Sequence, residues 1–415
     1  MRLLKLGAVA TTAALVFTAC SSSPTPAPSG GGGGGGGSVQ EVKIGVDLPL
    51  SGGELPNGGP TLNGVKLAVQ QISVPGYHVT VEAEDDAVNG VHDPTQGSKN
   101  ISTLVNDPAV FAVVGPFNSN VAQAEIPVSN AAGLIQCSPA NTNPGLTKGA
   151  DGAALRKTNP TKIAYVRVAT TDDIQGQAGA DIAYNVVGAK TAYVVDDTET
   201  YGKGLADVFD SSFKALGGTI VAHDGAGKNV TDYTSLLTAA AAKNPQYVYF
   251  GGVTSTGGGL LRKQMVAQGM GNIPFGGGDG ISDGSAATAS SFLNLAGPQG
   301  DLNTYSTVAA IHDIPNPDAF KAAYKAAFST DPGSYSASAY ACTQIFLDAL
   351  KAVGSNREAV RAFVTTTAHK YDTVLGSISF DANGDTSQHI ISYYKFDPTT
   401  KDWAFFKQKD FGTAG

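Results

Sequence analysis

Charged residues make up only 15% of this 415-residue chain, and the basic ones are outnumbered, 27 Lys and Arg against 35 Asp and Glu. A net charge of −8 and a pI near 5.2 exclude a basic surface of the kind that holds nucleic acid or an anionic membrane patch. Cysteine is scarce too: Cys20, Cys137 and Cys342 are the full set, too few for a disulfide framework. Cys20 falls in a leader, so the body holds at most one disulfide, and the apolar surroundings of Cys137 and Cys342 predict buried, unpaired thiols. The six histidines, at 78, 92, 223, 312, 369 and 389, include no pair at metal-ligand spacing and no His-Glu-x-x-His. There is no Walker A sequence, and after Gly202 and Gly204 the third glycine of a dinucleotide fingerprint is replaced by Asp207. No metal or cofactor is expected. One catalytic pattern is met formally, Gly280-Ile281-Ser282-Asp283-Gly284, which would make Ser282 a hydrolase nucleophile. In a chain with 52 glycines it arises easily by chance, and Gly276-Gly277-Gly278 spoils the strand an elbow needs. A serine hydrolase is the distant alternative; the expectation is no enzyme.

What the chain does have begins with its leader. Arg2 and Lys5 precede an apolar core, Leu6–Phe17, too short to span a bilayer comfortably, so residues 1–19 read as a signal peptide. Phe17-Thr18-Ala19-Cys20 resembles a bacterial lipobox, in which the cysteine is lipidated and becomes the mature N-terminus. Residues 20–38 form a Ser/Pro/Gly tether with an unbroken run from Gly30 to Gly37, a composition that cannot build a core. Its flexible reach is roughly 20–25 Å. The expected place is the cell membrane, on its extracytoplasmic face, with the body held by lipid on Cys20.

Beyond Val39 strand-length apolar runs alternate with helix-length segments. Strands are predicted at Val42–Leu48, Val79–Ala83, Val110–Val114, Leu134–Cys137, Thr191–Asp196, Ile220–Ala222, Tyr247–Gly251, Ile273–Phe275, Ser377–Phe380 and Ile390–Phe396. Helices are predicted at Thr61–Ile72, Pro94–Val105, Val121–Ala132, Gly204–Leu216, Thr234–Ala242, Gly258–Gln268, Pro317–Phe328, Ala337–Ala352 and Arg357–Ala368. That alternation means parallel βαβ units and an α/β fold of two doubly wound lobes. The stretch 110–144 stands out. Two apolar strands there end in polar turns, Gly115–Ser119 and Ser138–Pro144, with Asn118 and Ser119 read as N-caps of the helix between. In parallel neighbours both turns fall at the edge where open α/β sheets bind ligands, and their hydroxyls and amides suit a carboxylate.

Short segments along the whole body resemble the leucine/isoleucine/valine-binding type of periplasmic binding protein, the solute receptor of branched-chain amino acid ABC importers. They are KIGVDLPLSG (43–52), NGVKLAV (63–69), EDDA (84–87), DP (93–94), VVGPFNS (113–119), SPANTNPGLT (138–147), YGKGLAD (201–207), YVYFGG (247–252), GGDGISD (277–283) and DTVLGSISFDANGD (372–385). The resemblance implies two Rossmann-like lobes crossed three times by the chain, the type I architecture. One lobe would hold 41–168 and 312–388, the other 169–311 and 389–410. It implies a monomer that hands an amino acid to ABC permease subunits. By match to the family, Ser119 holds the ligand carboxylate, Ala140 offers a carbonyl to the amine, Thr142 reaches both charged groups, and Asp279 from the other lobe closes the amine site. Tyr201 and Tyr335 keep aromatics of the site, whereas Asn57 and Val253 stand where the family places aromatics. Val88 and Asn118 occupy the two positions of a family disulfide, and an insertion around Asn89–His92 lengthens the loop before Asp93-Pro94. A small or polar ligand is therefore compatible, as are short amides, urea, peptides or a sensor role.

Overall fold

The computed structural model describes residues 39–412; the signal peptide, Cys20 and the tether lie outside them. In chain order the strands are β1 (Gln40–Leu48), β2 (Tyr77–Asp85), the two-residue pair β3 (Ala87–Val88) and β4 (Val91–His92), β5 (Val110–Val114), β6 (Gln136–Ser138), β7 (Tyr165–Arg167), β8 (Thr191–Asp196), β9 (Thr219–Gly225), β10 (Tyr247–Gly251), β11 (Phe275–Gly277), β12 (Thr304–Val308), the pair β13 (Tyr371–Thr373) and β14 (Gly376–Ile378), β15 (Ile390–Asp397) and β16 (Asp402–Asp410). They build two large sheets. The first runs β2-β1-β5-β6-β7, all parallel; the second runs β16-β15-β12-β11-β10-β8-β9, parallel except for β15, which is antiparallel to both its neighbours. Strand order reverses between β1 and β5 in one sheet and between β8 and β10 in the other. Each reversal opens a crevice at the carboxyl ends of its strands, the place such sheets offer a ligand.

The helices are α1 (Leu55–Gln71), α2 (Pro94–Asn106), α3 (Ser119–Ala132), α4 (Gly149–Leu155), α5 (Asp172–Asp181), α6 (Thr200–Ala215), α7 (Thr234–Ala242), α8 (Gly258–Ala267), α9 (Phe292–Gly300), α10 (Pro317–Phe328), α11 (Ser336–Val353) and α12 (Arg357–Val364). None is long and apolar enough to cross a membrane. The chain leaves the first sheet after β7, returns after β12 with α10, α11 and α12, and rejoins the second sheet at β15. The expected three-crossing, doubly wound α/β architecture is therefore present. The crossing segments are not loose. Val168, Ala169, Val308, Ala309, Ala310 and Ile391 all belong to the core that also holds Val42, Ile44, Val46 and Val114 of the first sheet. Gly64 lets α1 and α11 meet backbone to backbone, since a Cβ there would lie 2.1 Å from the Ser336 carbonyl oxygen.

Several boundaries differ from expectation. α1 begins at Leu55 instead of Thr61, because Pro56 sits where a missing N–H costs nothing and Pro60 is tolerated one turn on. Asn57 is thus helical, not a loop residue. Three-residue β7, the polar helix α5, α4, α9, β12 and the terminal hairpin strand β16 were not foreseen. Asn118 stands at the N-cap position of α3, but its side chain makes no cap bond.

The larger correction concerns the cysteines. Cys137 on β6 and Cys342 on α11 form a disulfide, with the Cα atoms 5.7 Å apart. Both are fully buried in one apolar cluster, so the apolar setting that predicted thiols is shared by the two ends of a bond. The pair is 205 residues apart in sequence, and only the return of α11 across the first sheet brings it together. A cross-link closing so long a loop contributes about 2–5 kcal/mol. Reduction, or Cys342→Ala, is expected to lower the denaturant midpoint by a corresponding amount, measured by tryptophan fluorescence with and without dithiothreitol.

Beneath the first crevice lie three fully buried acids, Asp47, Asp86 and Glu125. Asn100 Nδ2 donates to Asp47 Oδ1 at 2.8 Å, and Gln136 Nε2 donates to Glu125 Oε2 at 2.5 Å. Asp47 Oδ2 and Glu125 Oε1 have no other partner and face each other across Gly97. Burial raises both pKa values, Asp47 to about 7 and Glu125 well above its ordinary 4.5, so one proton is held between them and stays with Glu125. Glu125 is thus protonated when folded and ionises when unfolded. The stability it contributes is complete below about pH 4.5 and is lost as pH rises toward the folded value, by up to about 1.4 kcal/mol per unit. Glu125→Gln keeps the donor to Asp47 without the proton. Its melting temperature should match that of the unaltered protein near pH 5 and exceed it increasingly up to pH 8, as followed by differential scanning calorimetry.

Candidate functional site

The first-sheet half of the site consists of the turns after β5 and β6. Gly115 closes β5 at φ 133°, and a Cβ there would strike the Asp47 carbonyl oxygen at 2.3 Å, so the turn requires glycine. Ser138 Oγ accepts from the amides of Ala140 and Asn141 and donates to the Pro116 carbonyl at 2.7 Å. Asn141 Nδ2 donates to the Phe117 carbonyl at 2.6 Å, and Tyr165 OH holds Asn141 Oδ1 at 2.8 Å. The two turns are thereby fixed to each other with Ser119, Ala140 and Thr142 buried among them. Ser119 Oγ receives only a long bond, 3.4 Å, from the Asn143 amide. Under the turn lies Arg167, fully buried. Its Nε donates to Asp385 Oδ1 at 2.7 Å, and its other nitrogens donate to the Asn143 carbonyl and Thr147 Oγ1.

The second-sheet half is the single turn after β11, which carries Asp279. Gln175 Nε2 and Tyr201 OH donate to its Oδ1 at 2.6 and 3.0 Å, and Tyr335 OH donates to Oδ2 at 2.8 Å. Burial raises the Asp279 pKa, and these three donors hold it back. Tyr335 also meets Phe117 edge to face, ring centroids 5.4 Å apart, which ties this half to the first. Between the halves stands Asp172, the first residue of α5. Its amide donates to the Thr142 carbonyl at 2.8 Å and its side chain is fully buried. Neither of its carboxylate oxygens has a hydrogen-bond partner. Burial and the nearby Asp279 charge drive its pKa well up; the Thr142 hydroxyl and Arg167 act in the opposite sense.

Ser119, Ala140, Thr142, Tyr201, Asp279 and Tyr335 are thus brought together. Val253 packs against Gly280, beside Asp279, and Asn118 adjoins Ser119 but donates its Nδ2 to Glu54 Oε2 at 2.9 Å. Asn57 lines an open cavity of about 760 Å³ with Ser282, Ser334 and Trp403, and the walls of that cavity do not include Ser119, Thr142, Asp172 or Asp279. Ser282 follows the turn that carries Asp279, its carbonyl accepts from Ser334 Oγ at 3.4 Å, and no histidine among the described residues hydrogen-bonds it. No group of three His, Cys, Asp or Glu among the described residues is arranged to hold a metal ion. Sequence reasoning missed Asp172, Gln175, Arg167 and Glu54. The signal for the first two was Thr-Thr-Asp-Asp at 170–173, acids in the first turn of a helix whose alanines and glycines hid its period.

Known proteins resemble this chain along most of its length. The family described as "Periplasmic binding protein" matches residues 41–399. A curated relative, Leu/Ile/Val-binding protein homolog 2 of Brucella abortus, is 31% identical over 84% of this chain and 89% of its own. Among solved structures, the branched-chain amino acid transporter substrate binding protein LivJ of Streptococcus pneumoniae, in complex with isoleucine, superposes with a TM-score of 0.75. It is 24% identical and covers 89% of this chain and 99% of its own. A solute binding protein of an R. palustris ABC transporter, in complex with benzoate, has a TM-score of 0.74 at 20% identity, covering 90% and 98%. These likenesses fix the type I fold, and the extent of the family match settles membership: the chain belongs to the periplasmic binding protein family.

Proposed function

We propose that this protein is the extracytoplasmic solute receptor of an ABC importer, and that it captures a free amino acid in the crevice between its two sheets. The observation that carries this reading is Asp172. A buried carboxylate without a partner is costly, and the site around it lacks only a cation. An α-ammonium there meets Asp172, the Ala140 carbonyl and Thr142. The α-carboxylate then falls to Ser119 and the free amides at the start of α3, where a helix N-terminus favours negative charge. Asp279 serves differently. Its donors from Gln175, Tyr201 and Tyr335 make it the joint that closes one half on the other.

The bodies that close are taken to be 41–168 with 312–388 and 169–311 with 389–410, and the work is differential binding of the closed state, with no reaction catalysed. The relatives that bind leucine, isoleucine and valine support an amino acid as the cargo class, and permease subunits as the partners. An aromatic acid such as benzoate supplies a carboxylate but would leave Asp172 unpaired.

Calorimetric titration of ligand-stripped protein with an amino-acid panel and with benzoate tests this. Asp172→Asn should weaken amino-acid binding about tenfold or more, since a charged hydrogen bond contributes about 1.5–3 kcal/mol. The same variant should melt at a higher temperature when empty at neutral pH, because an amide can be buried without first taking up a proton. Unchanged affinity, or tighter binding of benzoate than of any amino acid, would count against the assignment. The anchor has its own check: palmitate labelling of the cells should mark the protein, globomycin should block its processing, and Cys20→Ser should abolish the label.

A further inference from the structure

The hairpin made by β3 and β4 contains the stretch around Asn89–His92 that the resemblance marks as an insertion, and it delivers His92 into the protein beside the site. Gly53 N donates to the Gly90 carbonyl at 2.8 Å, which seats the hairpin under the start of α1. There Glu54 and His92 are both buried, 4% and 3% exposed. Glu54 Oε1 accepts from His92 Nδ1 at 2.6 Å, from the His92 amide at 3.2 Å and from Ser255 Oγ at 2.7 Å. Oε2 accepts from Asn118 Nδ2 alone. Burial opposes the Glu54 charge, but the His92 charge and these donors outweigh it and bring the pKa down to about 2. Glu54 is therefore an ionised carboxylate that reaches from the first half, through Asn118 next to Ser119, to the second half, through Ser255 two residues beyond Val253.

This is the part of the site where the family pattern is most altered. By the resemblance, Asn118 and Val88 take the places of a disulfide and Asn57 and Val253 those of aromatics. Ser119, Thr142 and Asp172 already account for the charged groups of an amino acid, so what meets Asn118, Val253 and Glu54 is the rest of the ligand. Two acceptors there are short of donors. Asn118 Oδ1 is buried, on a residue 6% exposed, with no partner, and Glu54 Oε2 has one donor only.

We propose that Glu54, held by His92 of the inserted hairpin, sets side-chain selectivity, and that the ligand is a small amino acid whose side chain donates a hydrogen bond, a hydroxyl or a carboxamide. The inference rests on the amino-acid reading above. A donor satisfies the open acceptors at that end. A branched aliphatic chain leaves them buried and dry beside a charge, the situation in which polar sites reject apolar analogues most strongly.

The experiment is calorimetric ranking of serine, asparagine, alanine and leucine on ligand-stripped protein and on Glu54→Leu/His92→Leu, which removes both charges together and leaves neither alone. The unaltered protein should bind serine or asparagine at least about tenfold more tightly than leucine, and the double variant should lose about tenfold of that ratio. Glu54→Gln keeps the shape should the double variant fail to fold. Its amide can donate to Asn118 Oδ1, occupying the acceptor the ligand needs, and so it should narrow the same ratio. A ratio is decisive because a strut that only holds the crevice shut would weaken every ligand by one factor. A preference for leucine, isoleucine or valine in the unaltered protein, or variants that scale all ligands equally, overturns the proposal. Absence of binding to every amino acid removes the amino-acid reading and this proposal with it, and is told apart by being no binding instead of a different order.

Discussion

Water holds a carboxylate far better than protein does, so a buried acid survives only with a proton, a cation or enough donors. The described residues display all three solutions within one region. Glu125 keeps a proton against Asp47, Asp279 is surrounded by three neutral donors, and Asp385 is paired with Arg167, whose charge helps hold its pKa below the ordinary value despite burial. Asp172 has neither a cation nor a hydrogen-bond donor, and burial leaves it the proton alone. Its placement is not an accident of a loose segment, because its own amide is bonded to Thr142 and α5 begins in the core. The architecture holds an open electrostatic demand where the two halves meet.

Around it, side-chain hydrogen bonds join the halves at the mouth, Thr200 Oγ1 to Gln123 Oε1 and Lys148 Nζ to Asp173 Oδ2 among them. Tyr335 to Asp279, Ser255 to Glu54, Asn143 Nδ2 to the Thr200 carbonyl and Asn120 Nδ2 to Glu199 Oε2 are all polar contacts. Each is worth on the order of 1 kcal/mol net once competition from water is counted. On the proposed reading, bonds of that size are weak enough for a ligand to shift the population between an open and a closed form. The crossing segments around Val168, Val308 and Ile391 are packed in the core, so the proposed closure would be a bend.

Much of the frame was legible because it is written in local pattern. The all-apolar runs of β5 and β10 and the Gly/Pro turns after them mark strand ends without any tertiary knowledge. What failed did so for identifiable reasons. Helix α5 is spelled with alanine, glycine and acids, so it shows almost no apolar stripe, and Asp172 was lost with it. Gly-Gly-Glu-Leu-Pro-Asn-Gly-Gly-Pro reads as a loop, yet Leu55–Pro60 is helical and Glu54 is tucked beneath it. The disulfide depends on a contact across 205 residues, which no local signal encodes. Family likeness pointed to Ser119, Thr142 and Asp279 but not to Glu54, whose hydrogen bonds to His92, Asn118 and Ser255 come from three separate stretches of the chain.

The contrast between Asp385 and Asp172 shows why the second is the residue to follow. Both lie close to Arg167, and both are almost fully shielded from water. Asp385 lies against the guanidinium, shares it with the Asn143 carbonyl and Thr147, and thereby fixes the shape of the turn below Thr142. The nitrogens of Arg167 are committed to these groups, and the arginine reaches Asp172 only as a distant charge that lowers its pKa without bonding it. A protein that needed only a stable turn would have no reason to place a second acid there. The turn is already satisfied, and Asp172, protonated by burial when the site is empty, is on the proposed reading the group that would ionise against a ligand's ammonium.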